Sequence, residues 1–198
     1  MERKNAWLSY GEADETAMEK LAKDYRAFLD AGKTERECVT ELVREAEANG
    51  YVNLETKLAA GEKIQPGDKV YAVGMKKIMA LFHVGQEPLE KGMNILGAHI
   101  DSPRLDVKQN PLYEDTDLAY LDTHYYGGVK KYQWVTLPLA MHGVIAKKDG
   151  SVVTINIGEK PEDPAFGVSD LLIHLSADQL EKKAAKVIEG EEIGRAHV

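Results

Sequence analysis

A single cysteine, Cys38, stands in the whole sequence. One thiol forms neither an internal disulfide nor a thiolate metal cluster, which excludes a stapled secreted scaffold and a cysteine-rich zinc module. Its neighbours Val39 and Leu42 sit in a helical pattern, so a buried, inert thiol is expected. Long apolar runs are also missing. No stretch approaches the roughly 18–20 apolar residues of a spanning helix, and the N-terminal MERKNAWLSYGEAD lacks the apolar core of a secretion signal. These absences predict a reducing, cytoplasmic setting with no membrane partner. Basic residues are outnumbered, 25 against 33 acidic, for a net charge of −8. Such a surface repels phosphate backbones, so nucleic acid is excluded as a partner. The basic doublets (Lys76-Lys77, Lys130-Lys131, Lys147-Lys148, Lys182-Lys183) are scattered among acids and read as solvated surface. There is no internal repeat and no low-complexity tract.

What is present is a chain able to fold. With 43% hydrophobic and 29% charged residues it can bury a core and keep a polar surface. Met18, Leu21, Ala22, Tyr25, Phe28 and Leu29 recur at three- and four-residue steps, predicting a helix from about residue 12 to residue 30. Thr34 followed by Glu37 forms a capping box for a second helix, whose buried stripe is Val39, Leu42, Val43 and Ala46 and whose exit is Asn49-Gly50. After the Gly67-Asp68 turn the period changes. Residues 69–75 and 78–84 read as strands, and the apolar run 93–98 (MNILGA) reads as a central strand buried on both faces.

Beyond residue 104 the pattern is mostly β. Strands are expected at 105–108, 118–125, 137–147 and 151–157, with a primed-type hairpin turn at Asp149-Gly150. Residues 159–168 read as a loop, and Ser176 with Gln179 as the cap of a final helix reaching about residue 188. Helices followed by strands predict an α/β layered first part, with a soft boundary at 105–110.

Among the histidines, His83 and His142 fall inside strand patterns with no acid nearby in the pattern and read as structural. His99 differs. It ends the apolar run at what would be the carboxyl edge of a central strand, where open α/β sheets bind ligands. Asp101 follows two residues on, then Ser102-Pro103. On spacing alone the pair is open between two readings: a metal ligand with the carboxylate that fixes its tautomer, and a hydrogen-bonded loop pair.

The stretch Asn94–Lys108, with its core Gly-Ala-His-Ile-Asp-Ser-Pro, closely resembles the His-Thr-Asp-Ser-Pro block of the aspartyl aminopeptidase family. Tyr126-Gly127-Gly128, residues 137–144 and Leu171–Leu175 are similar to further blocks of that family in the same order. The resemblance runs from about Trp7 to Gly190 and implies a dinuclear zinc aminopeptidase that forms homo-oligomers and acts on peptides. The fold it implies is α/β: the N-terminal part of a zinc-exopeptidase α/β/α catalytic domain (1–107), then an inserted, incomplete β-rich dimerisation domain (108–191). It implies His99 as a zinc ligand, Asp101 as the carboxylate orienting it, and His174 as a residue reaching a neighbouring subunit's active site. His174 on its own pattern reads as a strand histidine. Ile100 stands where the family usually has threonine.

The same resemblance expects a bridging aspartate, a Glu-Glu pair, a further aspartate and a late histidine, and these do not appear. Glu189, Glu191 and Glu192 read as a solvated helix end. Residues 192–198 have no apolar periodicity and read like one frame of a sequencing-adapter oligonucleotide, so a non-native tail is expected, the alternative being an ordinary disordered C-terminus. The family's usual preference is for acidic N-terminal residues, related bacterial members differ, and no residue of this sequence fixes the choice. Two other classes remain: a related di-zinc peptidase or deacylase, and a non-catalytic oligomerisation or binding module.

Overall fold

A computed structural model describes residues 3–190 and 195–197, and the chain divides into two units, Met1–Asp101 and Ser102–Val198.

The first unit opens with α1 (Glu12–Ala31) and α2 (Glu35–Ala48), as the periodicity predicts. The predicted capping box is made. Thr34 Oγ1 accepts from Glu37 N at 3.4 Å, and Glu37 Oε2 accepts from Thr34 N at 2.9 Å. Two otherwise orphan amides at the start of α2 are thereby satisfied. Gly50, at φ 82°, supplies the left-handed exit. The stripe on α1 is left uncovered within the unit: Leu21, Tyr25 and Leu29 are exposed.

A three-stranded sheet follows. β1 (Val52–Asn53) lies parallel to β2 (Lys69–Gly74), with the short helix α3 (Leu54–Ala59) between them in sequence, and β2 pairs antiparallel with β3 (Ile78–His83). The β2–β3 turn carries Met75 and Lys76 at φ 51° and 58°, a primed geometry without glycine. His83 ends β3 and is exposed rather than packed.

The core is small: Cys38, Val39 and Ala46 of α2 with Val70 and Tyr71 of β2. Burial, and after it Glu37 and Glu35, pushes the Cys38 thiol up, so the thiolate is disfavoured. Tyr71 donates its hydroxyl to Glu47 Oε1 at 2.7 Å, and this acceptor, with burial, raises the phenol's pKa. A raised folded value means the bond contributes below the unfolded phenol's pKa of about 10 and is lost as pH rises through the folded value. Tyr71→Phe is expected to cost about 1 kcal/mol at neutral pH. It should also remove part of the alkaline fall in stability, as measured by urea unfolding between pH 7 and 11. A variant losing stability equally at every pH would contradict this assignment.

The second unit is largely antiparallel β. β4 (Arg104–Asp115) and β5 (Leu118–Tyr126) form a long hairpin with a bulge between Val107 and Leu112, where Pro111 cannot donate to the ladder. β6 (Met141–Ala146) pairs with β7 (Val152–Ile157). Residues 137–140, expected as strand, are excluded from β6. Pro138 has no N–H to give, and Leu139 makes only an isolated bridge to Phe166.

The turn at Asp149-Gly150 is not of the primed type. Gly150 is at φ 84° but Asp149 is not in the left-handed region. Asp149 Oδ1 instead accepts from Ser151 N at 2.9 Å, a local bond that selects the other geometry.

The predicted final helix is likewise reduced to α4 (Ala177–Leu180) and a separate 3-10 turn at Ala184–Lys186. The expected cap residues are engaged elsewhere. Ser176 Oγ donates to Ile173 O at 3.0 Å and Gln179 Nε2 to Asp170 Oδ1 at 3.0 Å. Ile188 joins Val135, Val168 and Ala196 in the unit's core, so burial decides this segment's path over helix propensity.

Of the expected non-native tail, residues 192–194 and 198 lie outside the described residues, as does Glu191. Arg195–His197 form β8, paired antiparallel with β5.

Candidate functional site

The apolar pattern of residues 93–98 predicts a doubly buried strand, and the structure corrects this. Residues 92–103 carry no strand assignment, and Ile95 and Leu96 are 80% and 99% exposed. A central strand exists only when neighbours satisfy both of its edges. Among the described residues no strand pairs with this segment, and its apolar side chains are left exposed.

His99 stands on this exposed segment with its side chain 84% exposed, against 39% for Asp101. Its Nδ1 lies 2.9 Å from the backbone carbonyl oxygen of Asp101 and 3.2 Å from the carboxylate Oδ1. A carbonyl oxygen only accepts, and so does an ionised carboxylate, so the network assigns the ring proton to Nδ1. Nε2 then carries the lone pair and is directed away from the bonded edge, the arrangement that metal-bound histidines show.

That is one imidazole donor with one orienting acid. Among the described residues no three His, Cys, Asp or Glu side chains are grouped to hold a metal ion. A catalytic zinc takes about three protein ligands, so these residues fit part of such a centre and do not complete one.

His174 belongs to the second unit, where it lies in a 3-10 turn (Ile173–Leu175) rather than a strand and is exposed. Around it Leu171, Leu172, Ile173 and Leu175 are all exposed as well. His142, whose sequence pattern shows no acid nearby, in fact meets Glu159 Oε1 at 2.8 Å, with its own side chain only 10% exposed. The acid is seventeen residues away in sequence, across the β6–β7 pairing, where strand-by-strand reading does not see it.

The family model for aminopeptidase I zinc metalloproteases (M18) matches residues 28–197. The chain belongs to the M18 aminopeptidase family. An M18 relative from Clostridium acetobutylicum, named a probable M18 family aminopeptidase 1, is 60% identical over 97% of this chain and 41% of its own length. Two solved M18 structures share the fold along the whole chain. The Thermotoga maritima aminopeptidase aligns with a TM-score of 0.86 at 42% identity, covering 41% of that chain. Aminopeptidase I from C. acetobutylicum aligns at 0.83 and 58%, covering 43%. The mApe1 dodecamer of S. cerevisiae, at 17% identity and a TM-score of 0.68 over 92% of this chain and 39% of that one, shares the fold alone. The chain thus spans about two-fifths of the length of the M18 relatives it matches.

Proposed function

We propose that this chain carries the first metal ligand of a dinuclear zinc aminopeptidase that removes N-terminal residues from peptides. The observation that carries the reading is the His99–Asp101 geometry, Nδ1 held by Asp101 and Nε2 left as a free lone pair, in a chain of the M18 family. In this reading His99 holds a zinc ion through Nε2. Asp101 fixes the ring and makes it a better donor. The chemistry such a centre supplies is polarisation of the scissile carbonyl and acidification of the attacking water. The ligands and general base that complete it belong to sequence outside the matched two-fifths.

His174 is proposed to contact substrate in a neighbouring subunit of a homo-oligomer. Its exposure among uncovered leucines and isoleucine supports a role at a subunit boundary, and a relative of the same fold is a dodecamer. The family's preference for acidic N-terminal residues is carried over as the substrate proposal. A cytoplasmic setting is kept as a proposal, and no helix of the described residues is long and apolar enough to cross a membrane.

A chimera tests the reading: residues 1–190 of this chain joined to the unmatched remainder of the C. acetobutylicum relative. Zinc-dependent release of N-terminal residues is expected, with His99→Ala abolishing it. Asp101→Asn, which keeps the volume but weakens the acceptor, is expected to lower zinc affinity or kcat/KM about 10–100-fold. Full activity in the His99→Ala chimera would end the metal-ligand assignment.

A further inference from the structure

Asn49, at the exit of α2, is the asparagine of this chain that is followed by glycine. Asn5, Asn53, Asn94, Asn110 and Asn156 precede alanine, leucine, isoleucine, proline and isoleucine. The main-chain nitrogen after an asparagine attacks the side-chain amide where nothing crowds it, and glycine, lacking a Cβ, crowds it least. After Asn110 that nitrogen belongs to Pro111 and has no proton to lose. Access is open at the α2 exit. Asn49 is exposed, and no atom lies within 4 Å of a Cβ placed on Gly50. Base and water therefore reach the pair.

The closed turn holds both reacting nitrogens. Gly50 N, the nucleophile, donates to Glu47 O at 3.0 Å. Asn49 Nδ2, the leaving nitrogen, donates to Glu45 O at 2.8 Å. Tyr51 N donates to Ala46 O at 3.0 Å and Lys69 Nζ to Asn49 O at 3.2 Å, so the peptide between the two residues is held from both sides. Attack requires the Gly50 proton to leave and the side-chain amide to turn toward that nitrogen, and each movement breaks one of these bonds. Asp149-Gly150 presents the same spacing with a poorer electrophile. Bonds from Ser151 hold the Asp149 carboxyl below the usual carboxylate range, so it stays ionised.

We propose that Asn49 is a site of spontaneous deamidation, gated by opening of the last turn of α2. In the opened turn Gly50 N loses its proton to base and bonds to Asn49 Cγ. A five-membered succinimide closes, and Nδ2 leaves as ammonia. Water then opens the ring at either carbonyl, giving aspartate or isoaspartate with no change of oxidation state. Either product loosens the turn that made it. The new carboxylate only accepts, as Glu45 O does, so the bond between them is lost. Its charge joins Glu45 and Glu47 at the C-terminal end of α2, where the helix dipole disfavours an anion. Isoaspartate also inserts a methylene into the main chain, three residues beyond buried Ala46.

Peptide mapping by mass spectrometry tests this on the intact 198-residue chain, held at mildly alkaline pH with and without concentrated urea. Isoaspartate is expected at residue 49 in both samples, accumulating about tenfold or more faster in urea, since a reaction of the opened turn tracks its population. Equal rates overturn the gating. Absence of isoaspartate at residue 49 in urea overturns the site itself. Asn49→Asp, which supplies one product directly, is expected to speed amide exchange at Gly50 and Tyr51 about fivefold while the β2–β3 amides keep their wild-type rates. Unchanged exchange at Gly50 and Tyr51 overturns the loosening.

Discussion

The 198-residue chain supplied with zinc is expected to cleave aminoacyl-p-nitroanilides no faster than its His99→Ala variant. Enzymes of this kind owe accelerations of roughly a millionfold or more to groups placed within tenths of an ångström. Here the described residues offer one free imidazole nitrogen and one carboxylate already bonded to that imidazole's other nitrogen. A single imidazole whose side chain is 84% exposed competes with water for a hydrated zinc ion and does not exclude solvent from it. Weak zinc uptake at His99, seen by NMR and abolished by His99→Ala, is compatible with this. A zinc-dependent turnover that disappears in His99→Ala is not, and would mean that residues outside the described set complete the centre.

Gly158→Ala is expected to destabilise the second unit by roughly 3 kcal/mol, far more than alanine at Gly150. Gly158 sits at φ 105°, a conformation no L-residue adopts without strain, and a Cβ there would lie 2.9 Å from Ala140 Cα. The obstacle is backbone, which has little freedom to give. Gly150 is also at positive φ, 84°, but no atom lies within 4 Å of its added Cβ, so only the conformational cost of roughly 1 kcal/mol applies. For a unit of this size the difference is a drop in melting temperature of roughly 10 °C or more between the two variants. Equal melting temperatures would show that the Gly158–Ala140 approach relaxes on substitution.

Sequence patterns succeed where the determining forces are local. The Thr34–Glu37 box is a contact over three residues, and it forms in the structure as its pattern predicts. β2, β3 and the β6–β7 pair follow from alternation and from turns of a few residues. His99 and Asp101 are legible together because two residues of spacing at the end of an extended run place both groups on one ring edge. What spacing does not show is that the Asp101 carbonyl comes closer to Nδ1 than its carboxylate does.

Two failures are local, the turn set by the Asp149–Ser151 bond and the cap drawn off by Ile173; the others are non-local. Residues 93–98 have the composition of a central strand, but a strand is a relation between segments, and no described segment supplies the other side of the ladder. The capping signature at Ser176 is overridden by bonds to Ile173 and Asp170 and by burial of Ile188. His142 and Glu159 meet only because β6 and β7 pair. Arg104 lies over the Tyr126 ring, 4.2 Å from its centroid, only because the β4–β5 register pairs the two across the strands.

The pairing of β5 with β8 has a consequence for how the second unit is assembled. Its registered contacts run Tyr120↔His197, Leu121↔Ala196 and Asp122↔Arg195, so none forms until a long stretch of chain has been drawn closed. The β4–β5 and β6–β7 hairpins close over turns of a few residues and carry almost none of that entropic burden. Folding of this unit is therefore expected to proceed from the hairpins outward, with β8 docking after the barrier and detaching first in native-state exchange. Since Ala196 is one of the four buried residues of the core, the last strand to arrive is also the one that seals it.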